Sequence, residues 1–214
     1  MRSGAKRAAF IAVDVFIIVM VVLSGIFGIF EAAGTLWQSG ARRFVYFTID
    51  SNVLAALSAL IALPFKFRRL IRGRPLPTPL LILDLTSTCA VTVTFLTVIF
   101  FLGPTLGFSA MYVGNSLWLH MICPLLCIAS FVFDAESDKR IRIPYALFAL
   151  LPVLVYGAVY FTEVIIVGGW RDFYGFNAGG LWYVSAVVML AATFLIALGL
   201  RALENAVSGI RRKR

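Results

Sequence analysis

Six stretches of this chain, residues 8–30, 44–66, 79–103, 111–133, 144–167 and 179–203, run for more than 20 residues with few charges. A hydrocarbon core of about 30 Å is crossed by a helix of about 20 such residues. Within it, each segment must pair its own backbone N–H and C=O groups, which an α-helix does unaided. Of the 214 residues 61% are hydrophobic and 14% charged, with a mean hydropathy of +0.96. That is too little polar surface for a soluble domain of this size. The expectation is an all-α polytopic membrane protein. A single bundle of six transmembrane helices would occupy residues 1–214, leaving no room for a separate soluble domain.

The formal net charge of +9 raises the question of a nucleic-acid partner, and its distribution answers it. Counted along the chain, 16 of the 19 Lys and Arg fall on alternate connecting segments and 3 on the others. This is the positive-inside asymmetry, which predicts both termini in the cytoplasm and no nucleic-acid partner. The clusters Lys66-Phe67-Arg68-Arg69 and Arg211-Arg212-Lys213-Arg214 are then expected to meet anionic lipid head groups, making membrane lipids the natural partners. The run Phe10 to Phe30 is too long for a signal-peptide core, and Glu31 spoils a small-residue cleavage site before Gly34. Cys89, Cys123 and Cys127 all lie inside predicted spans, so no disulfide to an outer loop is expected.

No internal repeat is present. The prolines of Arg72-Gly73-Arg74-Pro75-Leu76-Pro77-Thr78-Pro79 predict a stiff cytoplasmic turn. Gly103-Pro104 ends the third span, and Asp134–Arg140 reads as a solvated loop. The last outer loop, residues 168–177, mixes aromatics with glycines. An interfacial aromatic belt is the expected arrangement, and folding over an outer cavity is the other.

Polar side chains inside a span are costly, so each is a candidate site. These are Asp14, Asp50, Asn52, Asp84, Asn115, His120 and Glu163. His120, the only histidine, is placed about 13 Å below the outer end of the fourth span. Pro124 leaves the His120 carbonyl without its helical donor, so a bend that opens a pocket is expected there. Ser116, one turn before His120, is placed to fix the ring's tautomer. Thr48 lies near the outer end of the second span, with Asn52 one turn below it and Asp50 pointing away by about 200°. A hydroxyl and an imidazole in the same half of the membrane are the minimum set for nucleophilic acyl transfer. Asn52, or a backbone N–H, would stabilise the oxyanion, or Asn52 would orient Thr48. No carboxylate is placed to orient His120, which predicts a dyad with slow turnover.

Other patterns point elsewhere. His120, Cys123 and Cys127 share a helix face but lack a second histidine, so no metal is expected, and no cofactor motif is present. Asp84, Thr88 and Thr92 form a polar stripe that would suit a transport path. The small faces Ser24-Gly25-Gly28 and Ser51-Ala55-Ser58-Ala62 permit close helix approach.

The strings Tyr46-Phe47-Thr48-Ile49-Asp50-Ser51-Asn52-Val53-Leu54 and Leu119-His120-Met121-Ile122-Cys123-Pro124-Leu125-Leu126 carry a resemblance. They look like the bacterial six-span relatives of the androgen-induced membrane proteins. Eukaryotic members of that superfamily are threonine hydrolases of fatty acid esters of hydroxy fatty acids. The resemblance implies Thr48 as nucleophile, His120 as catalytic histidine and a lipid ester as substrate, in a bacterial inner membrane. Asn52, Ser116, Asn115 and Asp50 are the supporting polar groups, and Pro124 shapes the cavity. The rival readings are a lipid-binding or transport protein without chemistry, and a scaffold that binds another membrane protein.

The charge asymmetry has a direct test. A fluorescent protein fused after Arg214 should fluoresce, and alkaline phosphatase inserted after Asn177 should be active; the reverse pattern would invert the orientation.

Overall fold

The computed structural model describes residues 2–28, 40–134 and 140–212, and all regular structure among them is helical. Six helices are long and apolar enough to span a membrane: α1 (Gly4–Ile26), α2 (Phe47–Arg72), α3 (Thr78–Leu106), α4 (Asn115–Asp134), α5 (Ile143–Val167) and α6 (Trp182–Gly209). Six crossings return the chain to the side on which it began, the terminal end; the opposite side is the far end. Glu31, Gly34, residues 135–139 and the side chains of Arg211–Arg214 lie outside the described residues.

The centre of the bundle is α3, with 67% of its apolar stretch buried against 11% for α5 and 17% for α6. It packs on α2, α4, α5 and α6, while α1 closes the bundle against α2 and α4. At the terminal end Leu85, Cys89, Phe131, Ala146, Ala149 and Ala197 join α3, α4, α5 and α6 in one core cluster. The small face of α2 is buried at Ser51, Ala55, Ser58 and Ala62, and the Ser51 and Thr94 hydroxyls meet at 2.9 Å across the α2–α3 contact. The two outermost helices leave long apolar faces for lipid, including Leu147, Val155, Val159, Val187 and Leu195.

Two helices widen by one residue at the same kind of place. The N–H of Gly103, just before Pro104, bonds the Val98 carbonyl, and the N–H of Cys123, just before Pro124, bonds the Trp118 carbonyl. Each bond reaches five residues back. Proline supplies no N–H, so the preceding residue takes up the slack through a wide turn rather than a sharp kink. The expected bend at Pro124 is therefore a π-type turn over Trp118–Ile122, and it contains His120.

The basic stretch of α2 departs from expectation. Arg68 and Arg72 are exposed, but Lys66 and Arg69 are buried at 3% and 1% exposure. Their spacing of three residues puts both on the face that packs inward. Lys66 Nζ lies 2.6 Å from Asp14 Oδ2 on α1 and 3.3 Å from Asp134 Oδ2 on α4. Ser130 donates to Asp14 Oδ1 at 3.1 Å. Arg69 bonds the Asp134 carboxylate directly and its backbone carbonyl at 2.9 Å. So Lys66 and Arg69 are not head-group ligands, and Asp134 is not a loop residue; each found a buried partner on another helix. Half-buried Asp84 on α3 is near enough to feel the charge of Lys66. In the hydroxyl stripe above it, Thr92 is satisfied within its own helix, donating to the Thr88 carbonyl at 2.7 Å.

Removing one member of this knot leaves an uncompensated buried charge, which costs about 3–5 kcal/mol. Asp134→Asn and Lys66→Met should each lower the thermal unfolding temperature sharply in detergent. The pair Asp14→Leu with Lys66→Met should recover part of the loss.

Candidate active site

Thr48 is the second residue of α2, whose start is set by extended Tyr46 (φ −101°, ψ 125°). The chain reaches His120 less directly. Gly107 (φ +92°) and Gly114 (φ +56°) adopt backbone conformations closed to other residues, and between them Phe108–Met111 forms one isolated helical turn. As a result α4 starts at Asn115 rather than 111, and His120 lies five residues from its end, about 7.5 Å. The difference in depth between Thr48 and His120 implied by the longer helix is thereby reduced. Thr48 Oγ1 and His120 Nε2 are 3.3 Å apart, both residues being buried.

The isolated turn also decides which ring nitrogen carries the proton. His120 Nδ1 lies 2.9 Å from the Met111 carbonyl oxygen, which can only accept. Nδ1 is therefore the donor, and in the neutral ring Nε2 presents its lone pair to the Thr48 hydroxyl. That is the arrangement a general base requires. The orienting partner is the Met111 carbonyl, not Ser116. Ser116 is buried one turn before His120 and lines the adjacent cavity.

Asn52 donates to the Thr48 carbonyl at 2.8 Å and to the Leu119 carbonyl at 3.0 Å. Both partners only accept, so the amide nitrogen must face them. Its two N–H groups are thus occupied, and the oxyanion role expected of Asn52 gives way to clamping the backbone of Thr48 to that of α4. Asn115 is buried at the first turn of α4. Asp50 is half-buried, as its rotation about α2 implies, and lines neither of the cavities beside Thr48. Pro124 is buried directly below the wide turn. Among the described residues no group of three His, Cys, Asp or Glu side chains is arranged to hold a metal, and this includes His120 with Cys123 and Cys127.

Sequence reasoning missed Tyr174. The loop at residues 168–177 folds over the far end instead of lying as a belt. The Asp172 carboxylate accepts from the Tyr160 hydroxyl at 2.7 Å and from the Phe176 and Asn177 N–H groups at 2.9 and 3.0 Å. Phe173, Tyr174 and Phe176 pack around Tyr160 with centroids 5.2 to 5.8 Å away. This drives the Tyr174 hydroxyl inward, where it accepts the Phe47 N–H at 3.1 Å beside Thr48. Burial raises the Tyr174 phenol above its ordinary range, which keeps it a protonated donor. The only sequence cue was a tyrosine hydroxyl among apolar aromatics.

Two cavities meet at these residues. Beneath the loop lies one of about 1080 Å³, bordered by Arg42, Tyr46, Met111, His120 and Asp172. Between α2, α3, α5 and α6 lies an apolar slot of about 380 Å³, bordered by Val98, Gly157, Trp182 and Met189. Thr48, Leu102 and Tyr174 border both, so the Thr48 hydroxyl stands at their junction. No protein-family model, curated protein or solved structure matches the chain.

The clamp assigned to Asn52 has a measurable consequence. Asn52→Ala should leave the buried Leu119 carbonyl short of a donor, while the Thr48 carbonyl keeps the Ser51 hydroxyl at 3.2 Å, and cost about 1–3 kcal/mol. Asn52→Asp, which sets acceptor against acceptor, should be worse; thermal unfolding of the reconstituted variants ranks them.

Proposed function

We propose that this protein hydrolyses lipid esters within the membrane, with Thr48 as nucleophile and His120 as base. The observation that carries the reading is the Met111 carbonyl on Nδ1, which turns the lone pair of Nε2 toward Thr48 Oγ1. Thr48 Oγ1 attacks the ester carbonyl carbon while Nε2 takes its proton. The tetrahedral intermediate collapses, the bond to the alcohol oxygen breaks, and Nε2–H protonates the departing alkoxide. Water then gives its proton to Nε2 and attacks the acyl-threonine, and the fatty acid leaves as Thr48 recovers its proton. The oxyanion would meet the Tyr174 hydroxyl and the Thr48 N–H, which lies in the first turn of α2 where no earlier carbonyl of the helix can reach it.

The Met111 carbonyl orients the imidazole through Nδ1, as a fixed acceptor does in other acyl-transfer sites. The pairing of Thr48 with His120 agrees with the resemblance to the six-span relatives of the androgen-induced membrane proteins, and esters of hydroxy fatty acids are the first substrates to try. With the sixteen-to-three charge asymmetry, the reading puts both termini in the cytoplasm and the dyad in the outer half of a bacterial inner membrane.

Labelling of the purified protein by a fluorophosphonate probe tests the assignment. Wild type should label, Thr48→Ala should not, and His120→Ala should label at least about 10²-fold more slowly. Undiminished labelling of Thr48→Ala would exclude this nucleophile. An unlabelled wild type that binds fatty esters without product would favour the carrier reading.

A further inference from the structure

The two cavities at Thr48 differ in character, and the difference bears on what each half of a substrate occupies. The slot reaches from Thr48 down the inside of α5 from Ile165 to Val153, twelve residues or about 18 Å. Along α6 it runs from Trp182 to Leu190, about 12 Å. Its walls are almost wholly apolar, and the Thr94 hydroxyl on its border is already paired with Ala90 and Ser51. It lies parallel to the helices, as lipid chains do. The cavity beneath the loop is wider and carries Arg42, Arg171 and Asp172.

From this division we infer that the slot is the acyl-chain subsite, that chains enter it from the bilayer between α5 and α6, and that Gly157 sets how deep they reach. The inference rests on the hydrolase reading and deepens it. The acyl half remains on Thr48 with its tail in the slot; the alcohol half leaves through the loop cavity, by which water arrives. The helices α5 and α6 are the two least buried, and Gly157 and Ala186 face both slot and lipid. Above them the Phe161 and Trp182 rings touch with centroids 4.4 Å apart, closing the rim at the far end. Gly157 stands between Phe161 and the deep end at Val153. A Cβ built there meets nothing within 4 Å, so a larger side chain has room to project across the slot without disturbing its neighbours.

Gly157→Leu in full-length protein in lipid nanodiscs is the decisive variant, compared on p-nitrophenyl butyrate and p-nitrophenyl palmitate. Blocking the slot removes methylene contacts, and the loss of even one is worth about tenfold or more in discrimination. The palmitate-to-butyrate ratio of kcat/KM should fall at least about tenfold; a smaller change overturns the inference. A second measurement does not depend on turnover. A photoreactive diazirine palmitate should crosslink to Val93 and Val98, slot-lining residues of α3 that are shielded from lipid, in wild type and in Thr48→Ala, but not in Gly157→Leu. Crosslinking undiminished in Gly157→Leu overturns the slot assignment. If wild type hydrolyses neither ester, the hydrolase reading fails and the crosslinking alone decides the slot.

Discussion

In a hydrocarbon core a backbone carbonyl without a partner costs several kcal/mol, and there is no water to relieve it. Much of what is irregular in this bundle sits where a side chain or a shifted backbone bond meets that demand. The Met111 carbonyl, left by a broken helix end, takes the His120 ring. The Thr48 and Leu119 carbonyls share the Asn52 amide, the Val45 carbonyl takes the Tyr156 hydroxyl, and the Asp134 carbonyl takes Arg69. The wide turns before Pro104 and Pro124 meet it with backbone alone. The candidate site is made of these repairs: the bond that completes the Phe108–Met111 turn also sets the tautomer of the imidazole.

The two polar centres stand at opposite ends of the bundle and differ in kind. The knot of Asp14, Lys66, Arg69 and Asp134 is an assembly of opposite charges, bonded to one another across three helices and bordering neither cavity. It holds α1, α2 and α4 together near the terminal end. The dyad carries no formal charge with the ring neutral, and it borders space on two sides. Anchoring α2 and α4 at one end and clamping them through Asn52 near the other leaves Thr48 and His120 little freedom to separate. Preorganisation of this kind is what the proposed acyl transfer at Thr48 would need.

Thr48 and His120 could be paired from the sequence because an imidazole is costly inside a membrane, and because the only histidine and this hydroxyl fall in the same half of their spans. Their supporting groups were read less well. Asn52 was legible as a neighbour of Thr48, since a spacing of four is a property of any helix, but its partner Leu119 is 67 positions away. Ser116 was the natural local partner for the imidazole, and the bond went instead to Met111, reached only through the reversal at Gly114. Tyr174 depended on the fold of a loop whose aromatics are equally at home at a membrane surface.

The sequence by itself determined the six crossings, since their length and apolarity follow from the thickness of the bilayer and from the pairing of each helix's own backbone. It also determined which residues share a helix face, including Lys66 with Arg69 and Asp50 away from Thr48, because 3.6 residues per turn is local geometry. Only the tertiary structure decided what those faces meet. Whether a lysine lies in head groups or against Asp14, and whether an aromatic loop lies flat or presses a tyrosine onto the dyad, depends on contacts between distant segments. No local spacing encodes those contacts.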